Sequence, residues 1–288
     1  MPDSTLPSTL AKNISDKDIA AYNRDGAMVL REVIPAGWIA LMRDAIQTIL
    51  DHPGDAAIEY TPEGETGRYY GDFFVWRRND DFRAFMQDSP LVEVAAQVMA
   101  AQEVRFFYDQ LLVKEPGTKE ETPWHQDLPY WPLRGDQIIS IWVPFDSASA
   151  ESGVVHYLKG SHKWGKMFAP KSFASDSGFG DIYAKAGFEA LPDNLVHDHK
   201  HDVIHWDVEP GDVIIHHPLT LHFAPGNASQ TGRRRGLALR YVGNDAVFDD
   251  RPGTFIDNPR LKATLPKISL KDGEPLSGDL FPKVWPRA

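Results

Sequence analysis

Residues 211–222 read GDVIIHHPLTLH, which is a tight turn followed by an apolar strand that ends in a group of histidines. A second motif, Trp124-His125-Gln126-Asp127, lies upstream of it. Side chains two residues apart on a strand point to the same face, so one metal ion can bind both His125 and Asp127. A histidine from the downstream stretch would add a third ligand. Two histidines and one carboxylate leave coordination positions open and suit non-haem Fe(II).

Composition excludes several other functions. The chain has 288 residues, of which 42% are hydrophobic and 25% charged, as is typical of a globular protein. Its 30 basic and 41 acidic residues give a net charge of −11, which argues against a nucleic-acid partner. Because the chain has no cysteine, disulfides, thiolate nucleophiles and iron–sulfur clusters are excluded. Histidine and carboxylate side chains must therefore bind any metal.

Neither a targeting signal nor a membrane segment is expected from the sequence. Residues 1–15 are polar and contain two prolines, unlike a signal peptide. No apolar run approaches the roughly 18 residues that a membrane-spanning helix requires. We therefore expect a cytoplasmic protein without a membrane partner, and the absence of cysteine is equally compatible with a periplasmic protein.

We predict a single domain over residues 1–288, whose segment of about 15–100 is a mostly helical flank. Ser15 has the side chain of a helix cap, and apolar residues recur at helical spacing over 38–50. Ser89, followed by proline, indicates the start of another helix.

The periodicity changes after the helical flank and predicts a β-core over about 102–245. Six short β-branched or aromatic runs are bounded by Gly, Pro and Asp, as in a sandwich or barrel: 104–113, 137–145, 153–158, 202–208, 213–217 and 236–242. A long loop interrupts the core near 159–201. The Pro-rich C-terminal tail, 246–288, is expected to wrap the surface without a regular role in the core.

Five ordered segments resemble the phytanoyl-CoA dioxygenase family of Fe(II)- and 2-oxoglutarate-dependent oxygenases. These segments are LLVKEPG (111–117), WHQDLPYWP (124–132), GVVHYLKGSHKWG (153–165), EPGDVIIHHPLTLHFAPGNAS (209–229) and RRRGLALRY (233–241). Together with the helical flank, the resemblance covers roughly 15–245. It implies a mainly β fold with flanking α-helices, in which a double-stranded β-helix (jelly-roll, cupin-like) core follows the N-terminal helices.

The resemblance also implies a site and an activity. Carried over by position, the metal ligands and catalytic residues are His125, Asp127 and His222. The implied cofactor is Fe(II), with 2-oxoglutarate as cosubstrate and O₂ as oxidant. The implied reaction is hydroxylation, or another oxidation, of a C–H bond in a small-molecule substrate, with release of succinate and CO₂.

The family holds 2-oxoglutarate with an arginine downstream of the distal histidine, and this chain has three candidates there. On a strand, Arg234 shares a face with the small residues Gly236 and Ala238. Arg235 shares a face with apolar residues that should pack on helices. We therefore choose Arg234, with Arg233 as the alternative, because a guanidinium matches a carboxylate bidentately.

Two further residues occupy positions that contact the cosubstrate in relatives, Gln110 and Trp142. For Trp142, an ordinary core position is an equally good interpretation. Relatives can also use an N-terminal lysine on the cosubstrate, and this sequence offers no secure match for it.

Other histidines and aromatic residues are given structural interpretations. Four histidines alternate with charged residues and are interpreted as a solvated edge strand rather than a second metal site: His197, His199, His201 and His205. His216 and His217 are interpreted as structural. Seven aromatic residues are either core or the lining of a pocket for a cationic substrate: Tyr69, Tyr70, Phe73, Phe74, Trp76, Tyr130 and Trp131.

Two other classes of function stay open at this point. A zinc-dependent hydrolase on a cupin-like fold could use the same ligands with a metal-bound water. A non-catalytic β-barrel that binds a metabolite is the second. A CoA thioester is not favoured as substrate because no dense basic site for its phosphates is apparent, and the sequence indicates no oligomeric state.

Overall fold

The computed structural model describes residues 6–169, 188–192 and 202–287. Within these ranges five α-helices form: α1 (Asp16–Asp25), α2 (Ala36–Asp51), α3 (Asp80–Asp88), α4 (Leu91–Met99) and α5 (Pro259–Thr264). The same ranges contain fourteen β-strands: β1 (Ala27–Leu30), β2 (Ile58–Glu59), β3 (Tyr69–Phe73), β4 (Val104–Lys114), β5 (Thr122–His125), β6 (Leu133–Arg134), β7 (Ile138–Pro144), β8 (His156–Leu158), β9 (Val203–Ile204), β10 (Val213–His216), β11 (His222–Ala224), β12 (Arg234–Val242), β13 (Val247–Phe248) and β14 (Lys283–Trp285).

The N-terminal helices form where the sequence predicts them. The Oγ of Ser15 accepts a hydrogen bond from the N–H of Asp18 at 3.2 Å, which caps α1. The apolar stripe of α2 is buried, as its helical spacing predicts. One detail is wrong: the Oγ of Ser89 makes no hydrogen bond with any described residue, and α4 begins after Pro90 without a side-chain cap.

Two antiparallel sheets form the core. The larger has the strand order β1-β10-β7-β12-β4-β3-β2, with β14 also paired to β4. The smaller has the order β5-β11-β8-β9. Strands distant in sequence are neighbours in both sheets, which is the arrangement of a jelly roll. The predicted fold, a mainly β double-stranded β-helix with flanking helices, is confirmed.

The two faces of the larger sheet differ in the way that strand alternation predicts. On β12, Leu237, Leu239 and Tyr241 are fully buried in the cluster that also contains the apolar faces of α2, α3 and α4. Arg234 and Ala238 alternate with them and face the space between the two sheets. The outer face therefore builds the hydrophobic core, and the inner face is left for polar side chains.

The C-terminal tail contributes to the core, so the prediction that it only wraps the surface is wrong. Leu276, Leu280 and Phe281 are buried, and β14 adds a strand beside β4. The ring of Phe281 stacks on Phe107 with 5.7 Å between ring centroids. The tail lacks periodicity because its apolar residues are spaced by prolines and turns, and tertiary packing determines their burial.

Of the predicted long loop, residues 170–187 and 193–201 lie outside the described residues. His197, His199 and His201 fall in the second of these ranges, so their interpretation as an edge strand stays a prediction. His205 is exposed just after β9. Among the described residues, no helix combines the length and apolar character needed to cross a membrane.

Candidate metal centre

The two histidines of the predicted triad lie on neighbouring strands. His125 ends β5 and His222 begins β11, and the two residues are direct partners across the antiparallel pair. Asp127 is not on the strand, contrary to the sequence argument. It lies at the start of a 3₁₀ turn over Leu128–Tyr130, where its N–H donates to the carbonyl of Pro218 at 2.9 Å. This hydrogen bond to the segment before β11 turns the carboxylate toward the histidines.

The three side chains converge on one point. The Oδ1 of Asp127 is 3.6 Å from the Nε2 of His125 and 3.7 Å from the Nε2 of His222. One ligand atom from each residue lies within 4.8 Å of the other two, and all three residues are buried. This is the one such cluster of His, Asp and Glu in the described ranges.

Backbone carbonyls fix the orientation of both imidazoles. The Nδ1 of His125 lies 2.7 Å from the carbonyl oxygen of Pro123, and the Nδ1 of His222 lies 2.9 Å from that of Thr220. Each Nδ1 must carry the proton to make this bond, so each Nε2 presents a lone pair to the shared point. Two nitrogen lone pairs and one carboxylate oxygen, all buried, fit an octahedral iron site with open positions.

Electrostatics keep Asp127 and His222 in the forms that bind metal. Burial alone would raise the pKa of Asp127, but Arg240 and the adjoining imidazoles outweigh it, and this pKa lies well below the usual range. Burial, and then repulsion by the imidazoles of His125 and His216, lowers the pKa of His222 well below its ordinary value. An ionised carboxylate and a neutral imidazole are the ligating forms.

The second oxygen of Asp127 is held by two residues that the sequence analysis did not place in the site. The Nε2 of His216 lies 3.2 Å from Oδ2, and the Nη2 of Arg240 lies 3.7 Å from it. His216 was interpreted as structural, so that interpretation is incomplete. His217, its neighbour, accepts a hydrogen bond from the N–H of Leu219 at 3.1 Å and belongs to the turn, as predicted.

A cavity of about 470 Å³, open solvent included, adjoins the triad and reaches Arg234. The side chain of Arg234 is 1% exposed. No carboxylate in the described part of the chain pairs with it, and no acceptor there reaches its Nε. Arg233 instead pairs with Glu115, and Arg235 pairs with Asp146. The strand register that selected Arg234 is therefore the observed one.

The other two predicted cosubstrate contacts, Gln110 and Trp142, also line this cavity. The Oε1 of Gln110 accepts a hydrogen bond from Arg240 at 3.0 Å. The indole ring of Trp142 lies 5.8 Å from the guanidinium carbon of Arg234. Trp142 also packs in the cluster between the sheets, so it is both a core residue and part of the cavity wall.

Lys114 is a second buried cation near Arg234, its partner across the β4–β12 pair. Its Nζ donates to the carbonyls of Ala224 at 3.2 Å and Pro225 at 2.6 Å. Burial, and then the charge of Arg234, lowers the pKa of Lys114 well below its ordinary value. The sequence analysis sought a cosubstrate lysine in the N-terminal part of the chain and did not consider this one.

Gly236 leaves the space that the indole of Trp142 occupies. A Cβ at this position would lie 2.6 Å from the Nε1 of Trp142, so an alanine forces the indole to move. Overpacking of this kind costs about 1–3 kcal/mol. We expect Gly236→Ala to raise the 2-oxoglutarate KM about tenfold, because the displaced ring lies against Arg234. Gly232→Ala is the matched control, since its Cβ meets only the Ser229 side chain, at 3.1 Å. Equal KM values for the two variants would contradict this role of Trp142.

The predicted aromatic cluster belongs mainly to the core. Five of its seven members are buried: Tyr69, Tyr70, Phe74, Trp76 and Trp131. Near the triad, the guanidinium carbon of Arg240 lies 4.5 Å from the ring centroid of Tyr108 and 5.8 Å from that of Trp131. Tyr130, which is half-buried, lies beside the triad with its ring centroid 5.9 Å from that of His125, so the cationic substrate stays a prediction.

The family model described as "Phytanoyl-CoA dioxygenase (PhyH)" matches residues 22–236. The chain belongs to the phytanoyl-CoA dioxygenase family. This family consists of Fe(II)- and 2-oxoglutarate-dependent oxygenases, so the predicted enzyme class and cofactors are confirmed. Peroxisomal phytanoyl-CoA dioxygenase from Bos taurus is 25% identical over 272 residues, which cover 90% of this chain and 74% of that protein.

Solved structures of other oxygenases share the fold of this phytanoyl-CoA dioxygenase family member. The non-haem α-ketoglutarate-dependent carbocyclase SnoK from nogalamycin biosynthesis superposes with a TM-score of 0.72 at 23% identity, over 96% of this chain and 99% of that one. EctD from S. alaskensis, crystallised with 2-oxoglutarate and 5-hydroxyectoine, superposes with a TM-score of 0.64 at 20% identity, over 84% of this chain and 81% of that one.

Proposed function

We propose that this protein is a dioxygenase that oxidises a C–H bond of a small-molecule metabolite, with iron bound by His125, Asp127 and His222 and 2-oxoglutarate bound by Arg234. The observation that carries the proposal is the cavity that Arg234 shares with His125 and His222, the two histidines of the triad. A guanidinium that is fully buried without a carboxylate is costly unless a ligand supplies the anion. The distal carboxylate of 2-oxoglutarate is that anion.

Each side chain has a defined task in this proposal. His125, Asp127 and His222 would hold the iron, as a set of ligands that leaves coordination positions open. Arg234 binds the distal carboxylate, and Trp142 and Gln110 confine the cosubstrate between Arg234 and the triad. Bound Fe(II) and 2-oxoglutarate supply the oxidation, in which 2-oxoglutarate is converted to succinate and CO₂. The protein contributes the orientation of the bound groups.

The alternatives explain fewer of these features. A zinc hydrolase would need the triad and a metal-bound water, and it would have no use for Arg234. A non-catalytic binding barrel would need neither the orientation of both Nε2 atoms nor the placement of Asp127. We also propose a small molecule rather than a nucleic acid as substrate, because of the net charge of −11. A cytoplasmic location stays a prediction from the sequence.

Succinate formation tests the proposal directly. The purified protein, loaded anaerobically with Fe(II), should release succinate from 2-oxoglutarate when O₂ is admitted, and a library of small metabolites should reveal compounds that accelerate this release. Omission of Fe(II) is the control, and Zn(II) in its place should give no succinate. Hydrolysis of a substrate by the zinc-loaded protein, without any need for 2-oxoglutarate, would favour the hydrolase instead.

A further inference from the structure

We propose that His216 and Arg240 are positioning residues that hold the Oδ2 of Asp127, so that this carboxylate offers only Oδ1 to the metal. The inference rests on the proposed function, because it concerns how the same triad binds iron. It adds two residues that neither touch the proposed ion nor belong to the triad.

The two oxygens of Asp127 face different groups. Oδ1 lies 3.6 and 3.7 Å from the Nε2 atoms of His125 and His222. Oδ2 lies 3.2 Å from the Nε2 of His216 and 3.7 Å from the Nη2 of Arg240. One oxygen therefore faces the ligand nitrogens, and the other faces a hydrogen-bond donor and a cation.

His216 is held so that its proton points at Asp127. It lies at the end of β10, and its backbone pairs with Ala27 on one side and Ser140 on the other. Its Nδ1 is 3.4 Å from the hydroxyl of Tyr157, which can donate to it. With Nδ1 as the acceptor, the proton of the neutral imidazole is on Nε2 and donates to Oδ2.

Arg240 is fixed equally firmly on the other side. Its Nη2 donates to the Oε1 of Gln110 at 3.0 Å, and its Nη1 donates to the carbonyl of Ala238 at 3.2 Å. The ring of Tyr108 covers one face of the guanidinium, with 4.5 Å from its centroid to Cζ. Arg240 is 3% exposed, so little solvent competes for Oδ2.

The contacts of Oδ2 would determine how many coordination positions stay open on a bound metal. A carboxylate that chelates through both oxygens would fill one of the three positions that the triad leaves free. The cosubstrate and O₂ together require all three. By occupying Oδ2, His216 and Arg240 prevent this chelation, which is the arrangement expected of partners that orient a metal ligand.

Three variants test the role of His216. His216→Leu removes the donor, whereas His216→Gln retains an N–H near the position of Nε2. His217→Gln changes the adjacent histidine, which does not contact Asp127. We expect His216→Leu to weaken anaerobic Fe(II) binding about 10- to 100-fold, as loss of such a partner commonly does. His216→Gln and His217→Gln should stay within a few-fold of the parent.

The absorption spectrum of the Co(II)-loaded protein gives a second readout that a merely structural role would not change. The visible bands of Co(II) respond to coordination number, so His216→Leu should alter them while His216→Gln retains the parental bands. Arg240→Met approaches Oδ2 from the other side and should act in the same direction. Thermal unfolding of the metal-free protein shows whether each variant is folded. If His216→Leu does not fold, Arg240→Met still tests the inference.

Two results would overturn the inference. The first is that the His216→Leu and Arg240→Met proteins both fold and both keep the parental Fe(II) affinity and Co(II) spectrum. The other is an equal loss in His216→Gln and His216→Leu, which would indicate packing rather than the hydrogen bond. Failure of the proposed function is distinguishable, because it would appear in the parent protein as Fe(II) binding without succinate release.

Discussion

Asp127→Asn is expected to abolish succinate formation and to weaken Fe(II) binding roughly a hundredfold or more. The reason is that Asp127 supplies the single anionic ligand of the triad, and its pKa well below the usual range keeps that charge in place. The amide has the same shape but no negative charge, and one of its two terminal atoms is a donor. Anaerobic Fe(II) titration and the succinate assay measure the two effects separately.

Asp109→Asn is the matched control for this variant. Asp109 is also fully buried on the central sheet, where its Oδ2 accepts the N–H of Trp76 at 3.1 Å. Burial raises its pKa to about 7, so the neutral amide resembles a form that it already adopts. We expect parental Fe(II) binding from Asp109→Asn. An Asp127→Asn protein that binds Fe(II) as tightly as this control would remove Asp127 from the ligand set.

Arg234→Ala should raise the 2-oxoglutarate KM between roughly 100-fold and a few thousand-fold, because loss of one partner from a buried ion pair costs about 3–5 kcal/mol. Fe(II) binding should be nearly unchanged, since Arg234 does not contact the triad. Arg234→Lys should recover only part of the affinity, because an ammonium lacks the planar fork that binds a carboxylate bidentately. Saturation curves for 2-oxoglutarate at fixed Fe(II) measure the effect.

Arg233→Ala is the neighbouring control for Arg234. Arg233 extends the other way, toward Glu115 and Gln47, with hydrogen bonds of 2.9 Å to each. Its removal should leave the cosubstrate KM within a few-fold of the parent. The opposite pattern, in which Arg233→Ala loses 2-oxoglutarate binding and Arg234→Ala does not, would show that the cosubstrate binds outside the cavity that Arg234 lines.

Alternation along strands predicted which arginine lines the cavity, whereas the other proposed site residues came from the family resemblance. Arg234 was separated from Arg233 and Arg235 because it shares a face with Gly236 and Ala238, and the structure has that register. Alternation also placed the apolar face of β12 against helices. These arguments succeeded because a residue's side of a strand depends on backbone geometry alone.

The residues that were missed depend on tertiary contacts. His216 resembles His217 in sequence, and only the neighbours of β10 show that one faces Asp127 and the other a turn. The sequence did hold one signal for His216. It is a polar residue two positions after Ile214, so it shares a strand face with a residue that is fully buried. Arg240 carried a similar signal, since it shares the inward face of β12 with Arg234.

Asp127 shows a different limit of the sequence argument. The sequence argument placed His125 and Asp127 on one strand, with both side chains on the same face. In the structure β5 ends at His125. The carboxylate is turned inward by the hydrogen bond from the N–H of Asp127 to the carbonyl of Pro218. Asp127 nevertheless lies beside the two histidines, at the position that the family resemblance implied for the ligand. The strand argument reached the same residue for a reason that the structure does not share.

The strand orders of both sheets determine when the proposed metal ligands can come together during synthesis. β1 pairs with β10, and β4 pairs with β12, so strands made early in synthesis wait for partners made much later. Pairing between strands that are distant in sequence is slow. Until it is complete, the unpaired edges of apolar strands are exposed and prone to aggregate, and chaperones bind such chains. A nascent chain that has only reached β5 carries His125 without His222 beside it. The two histidines therefore become neighbours only after β11 has been made and has paired with β5.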